Sequence, residues 1–183
     1  MAPPEGRTTV VDELSPAPLL AVDKKKIALS DAEGEAAIER FCQFLRFPTV
    51  SSIAAENGAY VECASWLKNE LEHKCKALDD VFYLPEAPDH SPVVVALWKG
   101  RDESLPCILL NSHYDVVPAE DEDWTVPPFE GLRKDGRIYG RGSQDMKCVC
   151  LQYVEAISKL HALRPDWKPE RNVYLTFVPD EGV

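Results

Sequence analysis

The side chains that could do chemistry lie in three short runs. N-S-H-Y-D (111–115) carries His113 and Asp115, G-R-G-S-Q-D-M-K (140–147) carries Asp145, and P-D-E-G (179–182) carries Glu181. Imidazole nitrogen and carboxylate oxygen are the donors that a catalytic zinc takes. A carboxylate at Asp115 would hold the His113 ring in one tautomer and raise its basicity, leaving the other ring nitrogen for a metal. Asp145 opens an amphipathic segment, and the dipole and unpaired N–H groups at a helix start favour the ionised carboxylate that a bridging ligand needs. Glu181 follows a strand-like run, where a carboxylate could act as general base toward a water at the metal. Each motif alone also fits an ordinary role. H-x-D suits a histidine satisfied by a neighbouring acid, Asp145 suits a helix N-cap, and Glu181 suits a solvated acid.

The elements around these runs place them at one rim. The apolar run 107–110 reads as a buried strand that ends at the His113 motif. Val93 to Trp98 reads as another, buried on both faces because it does not alternate. The segment 172–178 alternates and is rich in β-branched and aromatic residues, so it is a strand ending just before Glu181. Ligands of open α/β sheets bind at the carboxyl ends of strands. A further strand is expected over 75–84, and Asp135-Gly136 marks a hairpin. Ser30 and Glu33 form a capping box for a helix with Ile38, Phe41, Cys42 and Leu45 on one face. Ser51 to Asn57 reads as a loop. Tyr60, Cys63, Ala64, Leu67 and Leu71 make a second helical stripe, and Val149, Tyr153, Ala156, Ile157 and Leu160 a third. Gly140 and Gly142 allow a tight turn before that third helix. The alternation of strands and helices predicts an α/β fold with a largely parallel sheet flanked by helices.

The composition narrows the class. With 183 residues and 45% hydrophobic residues, the chain has the size of one globular domain. A net charge of −11 argues against nucleic acid or an anionic membrane as partner. The sequence shows no run long enough for a membrane helix and no signal-peptide pattern, so a cytoplasmic protein is expected. The six cysteines then read as reduced core thiols. Residues 1–30, rich in proline and small or charged residues and including Lys24, Lys25 and Lys26, read as a flexible leader, and 31–183 as the domain. Cys148 and Cys150 do not share a helix face, and His73, His90 and His161 lack a partner pattern. No nucleophile elbow, P-loop or dinucleotide fingerprint is present.

Together the motifs resemble the M20 metallopeptidase family, in its aminoacylase-1 branch. The resemblance rests on I-L-L-N-S-H-Y-D-V-V-P (108–118), W-T-V-P-P-F-E (124–130), I-Y-G-R-G-S-Q-D-M-K (138–147) and V-Y-L-T-F-V-P-D-E (173–181). It implies the catalytic domain of a zinc-dependent exopeptidase-like hydrolase acting on a small-molecule N-acyl-amino acid, with two Zn2+ per site. By the family pattern His113 ligates one zinc, Asp145 bridges both, Asp115 orients His113, and Glu181 moves a proton from water to the leaving amine. Asn111 and Arg141 belong to the motifs without an assigned role.

The chain departs from the pattern at Gly182, where the family carries a glutamate ligand to the second zinc. The resemblance also implies later ligands and a dimerising lid domain beyond residue 183. The domain is therefore expected to be partial, to bind zinc weakly and to be inactive as this chain. It is also expected to be marginally stable, with an apolar sheet edge beside 172–178. Two rivals remain: a non-catalytic isoform that binds or regulates a partner, and a family peptidase that cleaves dipeptides.

Overall fold

The computed structural model describes residues 29–180, so all but the end of the expected leader, and Glu181 and Gly182, lie outside the described residues. The elements run α1 (Asp31–Leu45), α2 (Ala54–Asn57), α3 (Ala59–Lys74), β1 (Asp80–Tyr83), β2 (Val94–Trp98), β3 (Ile108–His113), β4 (Leu132–Lys134), β5 (Arg137–Tyr139), α4 (Lys147–Leu163) and β6 (Val173–Val178). The α/β class is as expected, and the main sheet has the order β1-β2-β6-β3. Its pairing is mixed rather than largely parallel. β3 pairs parallel with β6, while β1–β2 and β2–β6 are antiparallel. The connections explain this. Residues 84–93 hold no helix, so β1 and β2 return antiparallel, whereas α4 supplies the crossover that a parallel β3–β6 pair needs.

β2 is buried nearly throughout, as its continuous apolar run requires. In β6, buried Val173, Leu175 and Phe177 alternate with half-buried Tyr174, Thr176 and Val178. β6 lies between β2 and β3, so it is not the edge strand that the sequence suggested. The exposed apolar edge belongs to β3, where Ile108 is 45% and Leu109 58% exposed. The expectation that 107–110 is buried therefore fails: β3 has one neighbour in the described sheet, and only Ser112 and His113 at its far end are covered. The strand expected over 75–84 shrinks to β1, because Cys75 caps α3.

Helix α1 has the capping box of Ser30 and Glu33. Its buried face includes Phe44, which stacks on Trp66 at 5.2 Å. Every residue of the expected α3 stripe is buried. The expected loop 51–57 contains the single turn α2. The α4 stripe is rotated from its expected position. The buried residues are Lys147, Cys150, Leu151, Val154 and Ile157, while Ala156 is exposed. The buried set runs i, i+3, i+4, i+7 from Lys147, a lysine that enters the core. Across the helix layer, Arg40 of α1 pairs with Glu155 of α4, and Lys159 Nζ lies 2.9 Å from Glu33. The hairpin β4–β5 turns through Asp135 (φ 52°) and Gly136 (φ 72°), the left-handed pair of a type I′ turn.

Candidate metal centre

Three backbone segments fix the rim where β3 ends. His113 is paired with Val178 of β6, and the next amide, Tyr114 N–H, donates to the Val178 carbonyl at 2.9 Å. On the other side, the Thr49 hydroxyl donates to the Tyr114 carbonyl at 2.6 Å, and Val116 N–H donates to the Thr49 carbonyl at 2.8 Å. The Cys150 thiol donates to the His113 carbonyl at 3.2 Å. The Tyr114 side chain is fully buried, edge-on to Tyr60. His113 and Asp115 therefore project from a backbone with little freedom to move.

The His113 ring is 3.0 Å from Asp115 Oδ1 and 3.2 Å from the Asp115 carbonyl, both through Nδ1. Both partners are acceptors, so Nδ1 carries the hydrogen. The Nε2 lone pair of the neutral ring then faces Asp145 Oδ1 at 3.2 Å. Two acceptors at that distance repel unless a proton or a cation lies between them. The Asp115 hydrogen bond raises the pKa of His113 above its usual 6.5, and the charges of Asp115 and Asp145 act in the same direction, against burial. His113 and Asp115 are buried, whereas the Asp145 side chain is 87% exposed. The pair thus opens to solvent on the carboxylate side.

Asp145 is not the N-cap. Met146 occupies that position in α4 without a side-chain capping bond, and the Asp145 carboxylate faces His113 instead. The turn before it needs Gly142, which has φ 87° and would bring an added Cβ to 2.8 Å from Val116 Cγ1. Gly142→Ala is expected to cost about 1–2 kcal/mol from left-handed backbone alone. With the Val116 contact added, Tm should fall by several degrees in a thermal melt.

A zinc fits the chemistry of this donor pair. Nitrogen and oxygen ligands on one tetrahedral zinc, at roughly 2.0–2.2 Å each, stand about 3.4 Å apart, close to the observed 3.2 Å. Among the described residues, no group of three or more His, Cys, Asp or Glu forms a fuller ligand set.

The sequence reading missed several residues that shape the site. Tyr60 counted only as part of an apolar stripe, yet its hydroxyl donates to Asp180 Oδ1 at 2.6 Å. Its pKa is pushed well up, first by burial and then by that acid. Arg141 lies over Trp124 at 5.2 Å and donates to the Pro118 carbonyl at 3.1 Å, joining three of the motifs. Thr176 donates to Asn111 Oδ1 at 2.6 Å, which gives Asn111 a structural partner. Lys147 is fully buried, and burial pushes its ammonium below the usual 10.5. Asn111, Arg141 and Lys147 lie within the quoted motifs, which name the residues but not their partners. The pairs join positions far apart in the chain.

Residues 109–182 match the profile of Peptidase family M20/M25/M40. Aminoacylase-1 of Sus scrofa is 41% identical over 159 residues, which is 86% of this chain and 37% of that protein. The chain thus spans a little over a third of that curated relative. Among solved structures, an M20 family metallo-carboxypeptidase from Sulfolobus solfataricus is 26% identical with a TM-score of 0.62, over 78% of this chain and 30% of that one. A di-peptidase from Saccharomyces cerevisiae shares the fold with a TM-score of 0.66 at 23% identity, over 84% of this chain and 33% of that one.

Proposed function

We propose, from the match of residues 109–182 to the profile of Peptidase family M20/M25/M40, a zinc-dependent amidohydrolase of the aminoacylase type, hydrolysing N-acyl-amino acids. The carrying observation is His113 Nε2 facing the Asp145 carboxylate at 3.2 Å, with Nδ1 held by Asp115. A zinc ion bound there would take the place of the proton that this pair otherwise shares. In this reading His113 would hold one zinc, and Asp145 would be shared between that ion and a second. Asp115 keeps the ring in its Nδ1–H tautomer and makes Nε2 a better donor. Glu181, three residues beyond Val178, takes the proton of the attacking water and delivers it to the leaving amine. Bound zinc supplies polarisation of the scissile carbonyl and a water of lowered pKa.

The aminoacylase-1 relative favours an acyl-amino acid as substrate. A dipeptide presents the same scissile amide, and a non-catalytic binding role is favoured by Gly182, which has no side chain to offer a metal. Catalytic zinc normally has three protein ligands. The 183-residue chain, with two converging donors among its described residues, is therefore expected to hold zinc weakly and not to turn over substrate. The deciding experiment measures zinc stoichiometry of the purified chain, and turnover of N-acetyl-amino acids against dipeptides by a form extended at its C-terminus. Dipeptide turnover alone would replace the acylase reading, and no turnover by the zinc-loaded form would favour the binding role. The cytoplasm is the proposed compartment. All six cysteines are free thiols, and among the described residues no helix is long and apolar enough to cross a membrane.

Asp115→Asn tests the orienting role. The amide can turn its NH2 toward Nδ1, so the ring loses its preference for the Nδ1–H tautomer. Zinc affinity is expected to fall roughly 10–100-fold, as for other outer partners of metal-binding histidines. Competition with a chromophoric chelator reads this directly, and unchanged affinity would remove Asp115 from the proposal.

A further inference from the structure

Lys147 lies two residues beyond Asp145 and is fully buried. Its Nζ donates to the carbonyls of Phe47 at 2.7 Å and Phe44 at 3.1 Å, and it lies 5.1 Å from the centre of the Phe44 ring. Burying an ammonium group is costly. A methionine would fill similar space without that cost, so what the lysine adds is the pair of hydrogen bonds. Those bonds reach the end of α1 and the turn after it. Two residues past Phe47, Thr49 donates to the Tyr114 carbonyl at 2.6 Å and accepts from Val116 N–H at 2.8 Å. Tyr114 and Val116 bracket Asp115, and Tyr114 follows His113. The Lys147 stem also packs on the Gly142 turn, where an added Cβ would stand 3.2 Å from its Cδ. The ammonium group is thus joined through two peptide units to Asp145, and through residues 44–49 to the segment that carries His113 and Asp115.

We propose that Lys147 is a positioning residue: it clamps the turn after α1 to the start of α4 and so sets the separation of the His113 ring and the Asp145 carboxylate. The consequence for zinc rests on the metal-centre reading above, whereas the clamp itself does not.

The test compares Lys147→Met, which keeps the stem and removes the donors, with the full wild-type chain. Leu71→Ala, which opens a core cavity three turns along α3 from Tyr60, controls for general destabilisation. In the metal-free chain the His113 ring 15N resonances of Lys147→Met should move as Nε2 loses its carboxylate, while those of Leu71→Ala stay in place. Zinc affinity by chelator competition should fall roughly 10–100-fold in Lys147→Met and remain near wild type in Leu71→Ala. Unmoved His113 resonances, or a zinc affinity lowered no more than in Leu71→Ala, would overturn the clamp. If Lys147→Met does not fold, Thr49→Val cuts the same path at its hydroxyl, and the same two readouts decide. If the wild-type chain takes up no zinc, the metal-centre reading falls, and the His113 resonances alone judge the clamp.

Discussion

His113→Ala is expected to take zinc binding by this chain below detection. The loss should exceed the roughly 10–100-fold that follows removal of an outer partner, because the substitution deletes one of the two converging donors. Chelator competition on the purified variant measures it, and retained zinc would mean that the ion is held elsewhere. The wild-type pH dependence should follow from the same ring. Zinc takes the neutral imidazole, and Asp115 holds the His113 pKa above 6.5. Protons therefore compete with the metal, and affinity falls as pH drops through that raised value. Calorimetry in buffers of different ionisation enthalpy should show a proton released on zinc binding, and His113→Ala should lose it. The metal-free chain gives the opposite sign. A raised native pKa means that the folded state holds the proton more tightly than the unfolded one. That contribution is complete below the unfolded value and disappears as pH rises through the folded value. Urea midpoints across this range should show the slope in wild type and not in His113→Ala.

Phe177→Ala is expected to be the most damaging single change to stability. Phe177 is fully buried in β6, with Val94 of β2 on one side and Ser112 of β3 on the other. Truncating a buried phenylalanine costs about 3–5 kcal/mol through lost transfer energy and a cavity. That is a large share of the roughly 5–15 kcal/mol that a domain has in total. The exposed apolar edge of β3 makes a stability near the lower end the expectation here. Thermal melts should show Tm lowered by about 6–20 °C, or no cooperative transition. A change of one or two degrees would mean that β6 is not the centre of the core. Since Val178 and Tyr114 share a hydrogen bond next to His113, the same variant should broaden the His113 resonances.

Much of the architecture was legible because it depends on local rules. The capping box at Ser30, the α3 stripe and the Asp135-Gly136 turn are each written within a few residues, and each forms as expected. The errors share a different cause. Ile108 and Leu109 are exposed because β3 has β6 as its one neighbour in the described sheet, and hydrophobicity along β3 carries no information about its neighbours. The buried face of α4 is set by the elements it packs on, and Lys147 at its start bonds carbonyls about 100 residues earlier in the chain.

The candidate site divides along the same line. Residue types and their order make the groups available: an imidazole at a strand end with an acid two residues on, and a carboxylate after a glycine-bearing turn. Those types limit which metal the proposed site would take, because donor identity is a property of the side chain. The contacts by which Asp145 turns away from capping α4 and toward His113, Nδ1 faces Asp115, and Lys147 and Thr49 tie the two segments together arise from the packed fold. Those contacts join residues 32 to 100 positions apart, except the local His113–Asp115 pair. Their distances follow from how β3, β6, α1 and α4 pack, which no short stretch of sequence encodes.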